Sequence, residues 1–513
     1  MSTTDNPRLS DLLSQIRDPA LTSDAWSRLH WLSRAAEADV ERLLAALLEC
    51  PTARIPWREG LLAEVFRQLC LWSRQAAGRG WSAANRDQIV RLYGALGPAH
   101  PSRSQLLQML AATLQAEDLA AFTALLVEDP PRDRNGVGLA LGPLFQTKNY
   151  DPAPLFPRLL DAVRHSSVAA AIIDLCNYLT REKLMAEHPA TPRKGQLIEL
   201  LGELVQRLAR LGETTDVADQ RLPEVALQIE ESVSLTVALC DACALLGDKN
   251  AIGKLHQALD LPHRRLRTEA AAALARFDEE VGREVLTALA AEPSCRLRVL
   301  AYAEELGLLD RVELQFQTPV ARAEAELALW LAQPTQIGFP PVRLELFDER
   351  SQYWPGFADP VGCFLFRFVY PFPAGDYSNL GIAGPLTHAF SADLADLSPD
   401  DIYAAFAGWQ AEHEDIFERD VEVLTDSDRI DVVRLERRLR DAGYEGIQSL
   451  QLGSFFGEKM LIARAVRDGQ AGIAVADPQD VLWFSSAGKS RPLGGTEACC
   501  IYKGRKLLRS FNA

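Results

Sequence analysis

The chain has 513 residues, nearly half of them apolar, and a formal net charge of −16. That length suits roughly two to four ordinary domains, or one long repeat array with something attached. The negative balance disfavours nucleic acid and anionic membranes as partners. No apolar run reaches the ~18 residues of a membrane-spanning helix, and the start MSTTDNPRLS shows no signal or myristoylation pattern, so a cytoplasmic location without a membrane partner is expected. Nine cysteines, scattered through helical segments, fit reduced thiols used as small apolar residues.

From residue 1 to about 230 almost every segment reads as helix, punctuated at Gly97-Pro98, Asp129-Pro130-Pro131 and Asp151-Pro152. The period is irregular, so this stretch reads as a degenerate array. Trp26, Trp31, Trp57, Trp72 and Trp81 lie here, and helix-packing core is the expected use of such large aromatics. Between residues 231 and 332 a helix-turn-helix pattern repeats: Gly247, Phe277 and Gly307 stand thirty residues apart, the period of a solenoid whose units share one core. Ala270, Ala273, Leu274 and Phe277, and likewise Val299, Tyr302, Ala303 and Leu306, fall at i, i+3, i+4, i+7 and make one apolar stripe per helix.

The run RRLRTEAAAALARFDEEVGREVLTALAAEPSCRLRVLAYAEELG, from Arg264 to Gly307, resembles HEAT-like repeats of the short type also found in phycobilisome lyases. The resemblance implies an α-helical solenoid and, for most HEAT-like proteins, a scaffold offering a long surface to other proteins. Lyases of this type act on bilin-carrying proteins. HEAT-like deoxyhypusine hydroxylases hold iron through repeated His-Glu pairs, whereas this chain has one, His413-Glu414, outside the repeats. The DNA glycosylases built on similar repeats use a basic face, which the acidic balance disfavours.

Past Leu331 the character changes. Residues 333 to 513 read as an α+β domain, with strands at Val342–Phe347, Val361–Phe372 and Leu380–Phe390. Phe364, Phe366 and Phe368 alternate along the second of these as an aromatic face. Ser398-Pro399-Asp400-Asp401 supplies an N-cap, a first-turn proline and two dipole-favoured carboxylates, predicting a helix to about Val423. A second helix follows at Asp428–Ala442, then strands at 446–452, 459–467, 473–476 and 481–485, with a hairpin turn at Asp468-Gly469. Ile501–Phe511 reads as a basic last strand.

Several constellations bear on chemistry. Cys363 and His388 fall on successive predicted strands, with Asn379 or Asp393 able to orient the imidazole, and are the weak catalytic candidates. Cys240, Cys243, His256 and His263 approach a zinc-finger spacing, but the last gap is too long and the ββα context is missing. Ala487-Gly488-Lys489-Ser490 lacks the upstream glycine and the following helix of a P-loop. Glu412-His413-Glu414-Asp415, read as helical, points around its axis instead of converging. In a strand the vicinal pair Cys499-Cys500 points to opposite faces. Arg264, Arg265 and Arg267 open a repeat, Arg298 follows in the next unit, and these four are the candidate binding residues. The sequence thus predicts a HEAT-like solenoid scaffold for a protein partner, without metal or cofactor. The alternative is an enzyme, with its active site in the C-terminal domain or with bilin-lyase-like activity, whose substrate the solenoid recruits.

Overall fold

A computed structural model of the chain describes residues 6–17, 25–49, 58–75, 79–132, 134–214, 223–373 and 375–512, and these fall into two compact units, Met1–Leu286 and Thr287–Ala513. The described part of the first unit is helical. Its helices are α1 (Pro7–Arg17), α2 (Glu37–Glu49), α3 (Arg58–Gln75), α4 (Ala83–Ala95), α5 (Ser102–Ala112), α6 (Ala116–Glu128), α7 (Arg134–Gln146), α8 (Ser166–Arg181), α9 (Lys194–Thr214), α10 (Pro223–Leu246), α11 (Ile252–Leu259), α12 (Arg264–Arg276) and α13 (Glu280–Ala288), within which the division falls.

Alternate helices pack on one another. Along one row α2 lies on α4 and α4 on α6; along another α3 lies on α5 and α5 on α7. Beyond two short 3-10 turns the pattern resumes, with α8 on α10, α10 on α12, and α9 on α11. The apolar stripes read from the sequence face inward: Ala270, Ala273 and Leu274 of α12 are fully buried. Trp81 is buried, donates its indole N–H to Met109 O at 3.0 Å and stacks on Trp72 at 4.7 Å. Both therefore serve the core, whereas Trp57 and the side chain of Trp26 lie outside the described residues.

The helix stops recur with one shift. Gly247 (φ +64°) and Gly307 (φ +65°) take the left-handed conformation that ends a helix, but in the middle turn Asp278 (φ +64°), not Phe277, does so. There the N–H of Glu279 bonds Leu274 O at 3.1 Å, as the N–H of Leu308 bonds Ala303 O at 2.7 Å, the six-to-one closure of a Schellman motif.

His188, 4% exposed, ties two helices through one side-chain relay. Its Nδ1 accepts from the Ala190 N–H at 3.2 Å, so Nε2 carries the proton and donates to Asn177 Oδ1 at 3.1 Å; Asn177 in turn donates to Ala238 O at 3.0 Å. Burial lowers its pKa to about 4 from an ordinary 6.5. Below pH 6.5 the unfolded chain therefore binds the extra proton more readily than the folded one. Stability should fall by about 3 kcal/mol as pH drops from 6.5 to 4, and a His188→Asn variant should lose that part of the pH slope in urea unfolding. An unchanged slope would show that His188 does not titrate in this window.

The second unit comprises α14 (Pro293–Glu305), α15 (Pro319–Leu331), β1 (Arg343–Gln352), β2 (Val361–Phe372), β3 (Gly375–Ala383), β4 (His388–Ala389), α16 (Pro399–Gln410), β5 (Ile416–Asp420), α17 (Asp426–Asp441), β6 (Glu445–Phe455), β7 (Glu458–Arg467), β8 (Gln470–Ala476), β9 (Val481–Ser485) and α18 (Gly495–Phe511). Its strands form two antiparallel sheets, β1-β2-β3-β4 and β5-β6-β7-β8-β9. Strand β2 is buried on both faces. Phe366, Phe368 and Tyr370 pack against Ala323, Leu327 and Leu331 of α15, while Cys363 and Leu365 pack against Ile402, Tyr403 and Phe406 of α16. The five-stranded sheet is covered by α17 through Val432, Leu435 and Leu439, and on its other face by α18 through Ala498, Cys499 and Tyr502.

The unit contains an internal pseudo-repeat. In each half a four-strand meander in sequence order leads into a helix: β1 to β4 into α16, β6 to β9 into α18. The N-caps Ser398 and Gly494, the third-position acids Asp401 and Glu497, the pair Ala404 and Cys500, and the glycines Gly408 and Gly504 all match at one constant offset. The two helices cross reciprocally. A Cβ on Gly408 would lie 1.9 Å from Cys500 O, and one on Gly504 would lie 1.8 Å from Ala404 O.

The helix predicted to reach Val423 stops at Gln410, because Ile416–Asp420 pairs as β5 with β6 and this tertiary pairing overrides local helix propensity. Glu412 to Asp415 therefore form a turn. The predicted strand Leu380–Phe390 is β3 followed by a two-residue β4. Ile501–Phe511 is the body of α18, because Glu497 bonds the Gly494 N–H at 2.9 Å and closes the first turn, and Ala498, Ile501 and Tyr502 keep helical spacing.

Candidate functional site

Leu208 and Leu211 of α9, Ile229 and Val233 of α10, and Leu261-Pro262-His263 line an apolar hollow of about 230 Å³. That last tripeptide leads straight into α12, whose first residues are the predicted arginines. Arg264 and Arg265 are exposed and Arg267 is half-buried. The His263 Nδ1 caps the helix by accepting from the Leu266 N–H at 3.4 Å. Packing and then the Arg265 guanidinium lower the His263 pKa, keeping the ring neutral as an acceptor. The first turn holds no acid. Three guanidiniums thus stand at the helix end whose dipole is already positive, which costs the helix a little and draws anions. A larger groove of about 590 Å³ lies in the same unit, where Arg193 pairs with Asp161 at 2.6 Å and Arg164 bonds Val127 O at 2.9 Å. Arg298, the fourth predicted residue, is exposed on α14 in the second unit, its guanidinium 5.2 Å from the Tyr302 ring.

Cys363 and His388 lie on β2 and β4, with β3 between them, a separation of about 10 Å across the sheet. Among the described residues no hydrogen bond joins them. The thiol is buried, donates to Val361 O at 3.5 Å, and is pushed up to about 11 by that burial, opposite to what a nucleophile needs. The His388 ring stacks on Trp409 at 4.0 Å and meets Phe390 edge-on at 4.9 Å, and burial lowers its pKa to about 4. Asn379 spends its amide on Phe390 O and Ala392 O, while Asp393 accepts from the Ala395 N–H.

The other constellations are also separately engaged. Cys240 and Cys243 sit in the α10 core, His256 faces Glu279 at 3.8 Å, and His263 is the cap just described. His413 Nδ1 accepts from the Asp415 N–H at 3.1 Å. No cluster of three metal-ligating side chains occurs among the described residues. Lys489 reaches Asp396 at 3.5 Å. No helix among the described residues is long and apolar enough to cross a membrane.

One cluster escaped the sequence reading. Glu418 of β5 accepts, on the same Oε1, from Cys499 Sγ at 3.0 Å and from Lys503 Nζ at 2.6 Å. Burial works against the carboxylate, but the bonds from Lys503 and Cys499 hold its pKa below the ordinary value; burial pushes the Cys499 thiol up. Beside them Tyr502 donates to Asp477 at 2.9 Å, and Lys506 bridges Asp477 at 3.1 Å and Glu458 at 2.5 Å. The signal that could have revealed it was the glycine and third-position acid that start α18, which place Cys499 and Lys503 one turn apart on a single face. No protein-family model, no curated protein and no solved structure matches the chain.

Proposed function

We propose that the protein is a protein–protein interaction scaffold in which a HEAT-like solenoid docks an acidic partner segment carrying an apolar anchor. The carrying observation is the apolar hollow that opens beside Arg264, Arg265 and Arg267 at the positive end of α12. An apolar side chain fills the hollow and neighbouring carboxylates meet the guanidiniums, a division of labour in which burial gives affinity and charge gives orientation and on-rate. The solenoid reading draws support from the alternate-helix packing and from the recurrent left-handed stops at Gly247, Asp278 and Gly307. No comparable observation favours an active site at Cys363 and His388.

The test reverses charge at the three arginines. Against a partner recovered by affinity purification and then produced pure, Arg264→Glu, Arg265→Glu and Arg267→Glu together should weaken binding at least about tenfold, or ~1.4 kcal/mol. The circular dichroism should stay unchanged, because two of the three side chains are exposed and the third is half-buried. Unchanged affinity would remove this face from the account.

A further inference from the structure

The pseudo-repeat supplies its own control for the Glu418 cluster. At the positions of Cys499 and Lys503 in α18, the matching helix α16 carries Tyr403 and Ala407, both buried in an apolar core. The strand that brings Glu418, β5, has no counterpart beside the four-stranded sheet. The matching helix positions of the other half therefore carry neither a thiol nor an amine. The half that ends in α18 gathers a thiol, an amine and a carboxylate, with Cys499 1% and Lys503 7% exposed. One oxygen of Glu418 takes both a thiol at 3.0 Å and an ammonium at 2.6 Å, so sulfur and nitrogen converge on a single acceptor from one face of α18.

We infer that Cys499 and Lys503 are a modification site at which dioxygen installs a covalent S–O–N bridge. The stoichiometry is one thiol, one amine and one dioxygen giving the bridge and one water. The S–H bond, one N–H bond and the O–O bond break; S–O and O–N bonds form. Sulfur and nitrogen each lose two electrons, and dioxygen accepts all four. One oxygen stays in the bridge, and the other leaves as water with the two hydrogens. Glu418 takes the third proton of the ammonium, which frees the amine lone pair. Burial gives the oxidised sulfur little access to the bulk thiols that would otherwise capture it. The bridge staples one turn of α18 at the point where that helix covers the five-stranded sheet.

Full-length protein is exposed to air, or kept under argon with a dithiol reductant, then digested without reduction, and the peptides of α18 are weighed by mass spectrometry. The expected result is a gain of one oxygen less two hydrogens in the air-exposed wild type. This gain should be absent under argon, reversed by the dithiol, retained in Cys500→Ser and absent from Cys499→Ser and Lys503→Arg. The wild-type measurement stands whether or not the variants fold. No gain in air overturns the inference, and so does a gain of oxygen alone, or one that persists in Lys503→Arg, since that places the oxidation on sulfur only.

Discussion

Gly408→Ala and Gly504→Ala should each destabilise the second unit by about 3 kcal/mol or more, read as a lower urea midpoint. The new methyl would stand 1.9 Å from Cys500 O in the first variant and 1.8 Å from Ala404 O in the second. Those obstacles are backbone carbonyls inside helices, which no rotamer change can clear, so α16 and α18 must move apart. Separation would loosen both sheets at once, because α16 fills the core of one and α18 the core of the other. Gly253→Ala is the contrasting case. Its Cβ would meet nothing within 4 Å in α11, and it should stabilise by about 0.5–1 kcal/mol through the unfolded-chain entropy that glycine carries. Equal midpoints for Gly408→Ala and wild type would refute the close helix crossing.

Arg296→Met should cost about 3 kcal/mol. The guanidinium is 2% exposed and donates to Ala290 O at 2.8 Å, Ala321 O at 2.7 Å, Ala291 O at 3.2 Å and Glu324 at 2.5 Å. Methionine keeps the volume but leaves three carbonyls and a carboxylate without their donors. Arg296→Lys should recover only part of the loss, because one ammonium cannot present donors along the several directions that the planar fork spans. A loss below ~1 kcal/mol for Arg296→Met would mean that water replaces the clamp.

The parts of the fold legible in the sequence were those with strong local periodicity. The strand Val361–Phe372 and the strand Val481–Ser485 match β2 and β9 end to end, and Asp468 and Gly469 take the two positive φ angles, +51° and +76°, of a hairpin turn. What was not legible depended on pairing between distant segments. β5 is a five-residue edge strand whose register is set by β6, and nothing within Glu412 to Asp420 announces it. The basic residues of α18 suggested a last strand because their partners, Glu418 of β5, Glu458 of β7 and Asp477 just after β8, come from three distant segments. The arginines at the start of α12 were visible as a charge cluster. The apolar hollow beside them was not, because its walls come from α9, α10 and the turn before α12.

The most direct test of the scaffold reading is hydrogen–deuterium exchange on the full-length chain, alone and saturated with the purified partner. The account predicts slowed exchange in three segments together, 205–211, 229–235 and 261–268, with that protection weakened by salt as the guanidinium contacts are screened. Protection confined to residues 287–513, or none in these three segments at saturation, would contradict it and move the binding surface to the second unit.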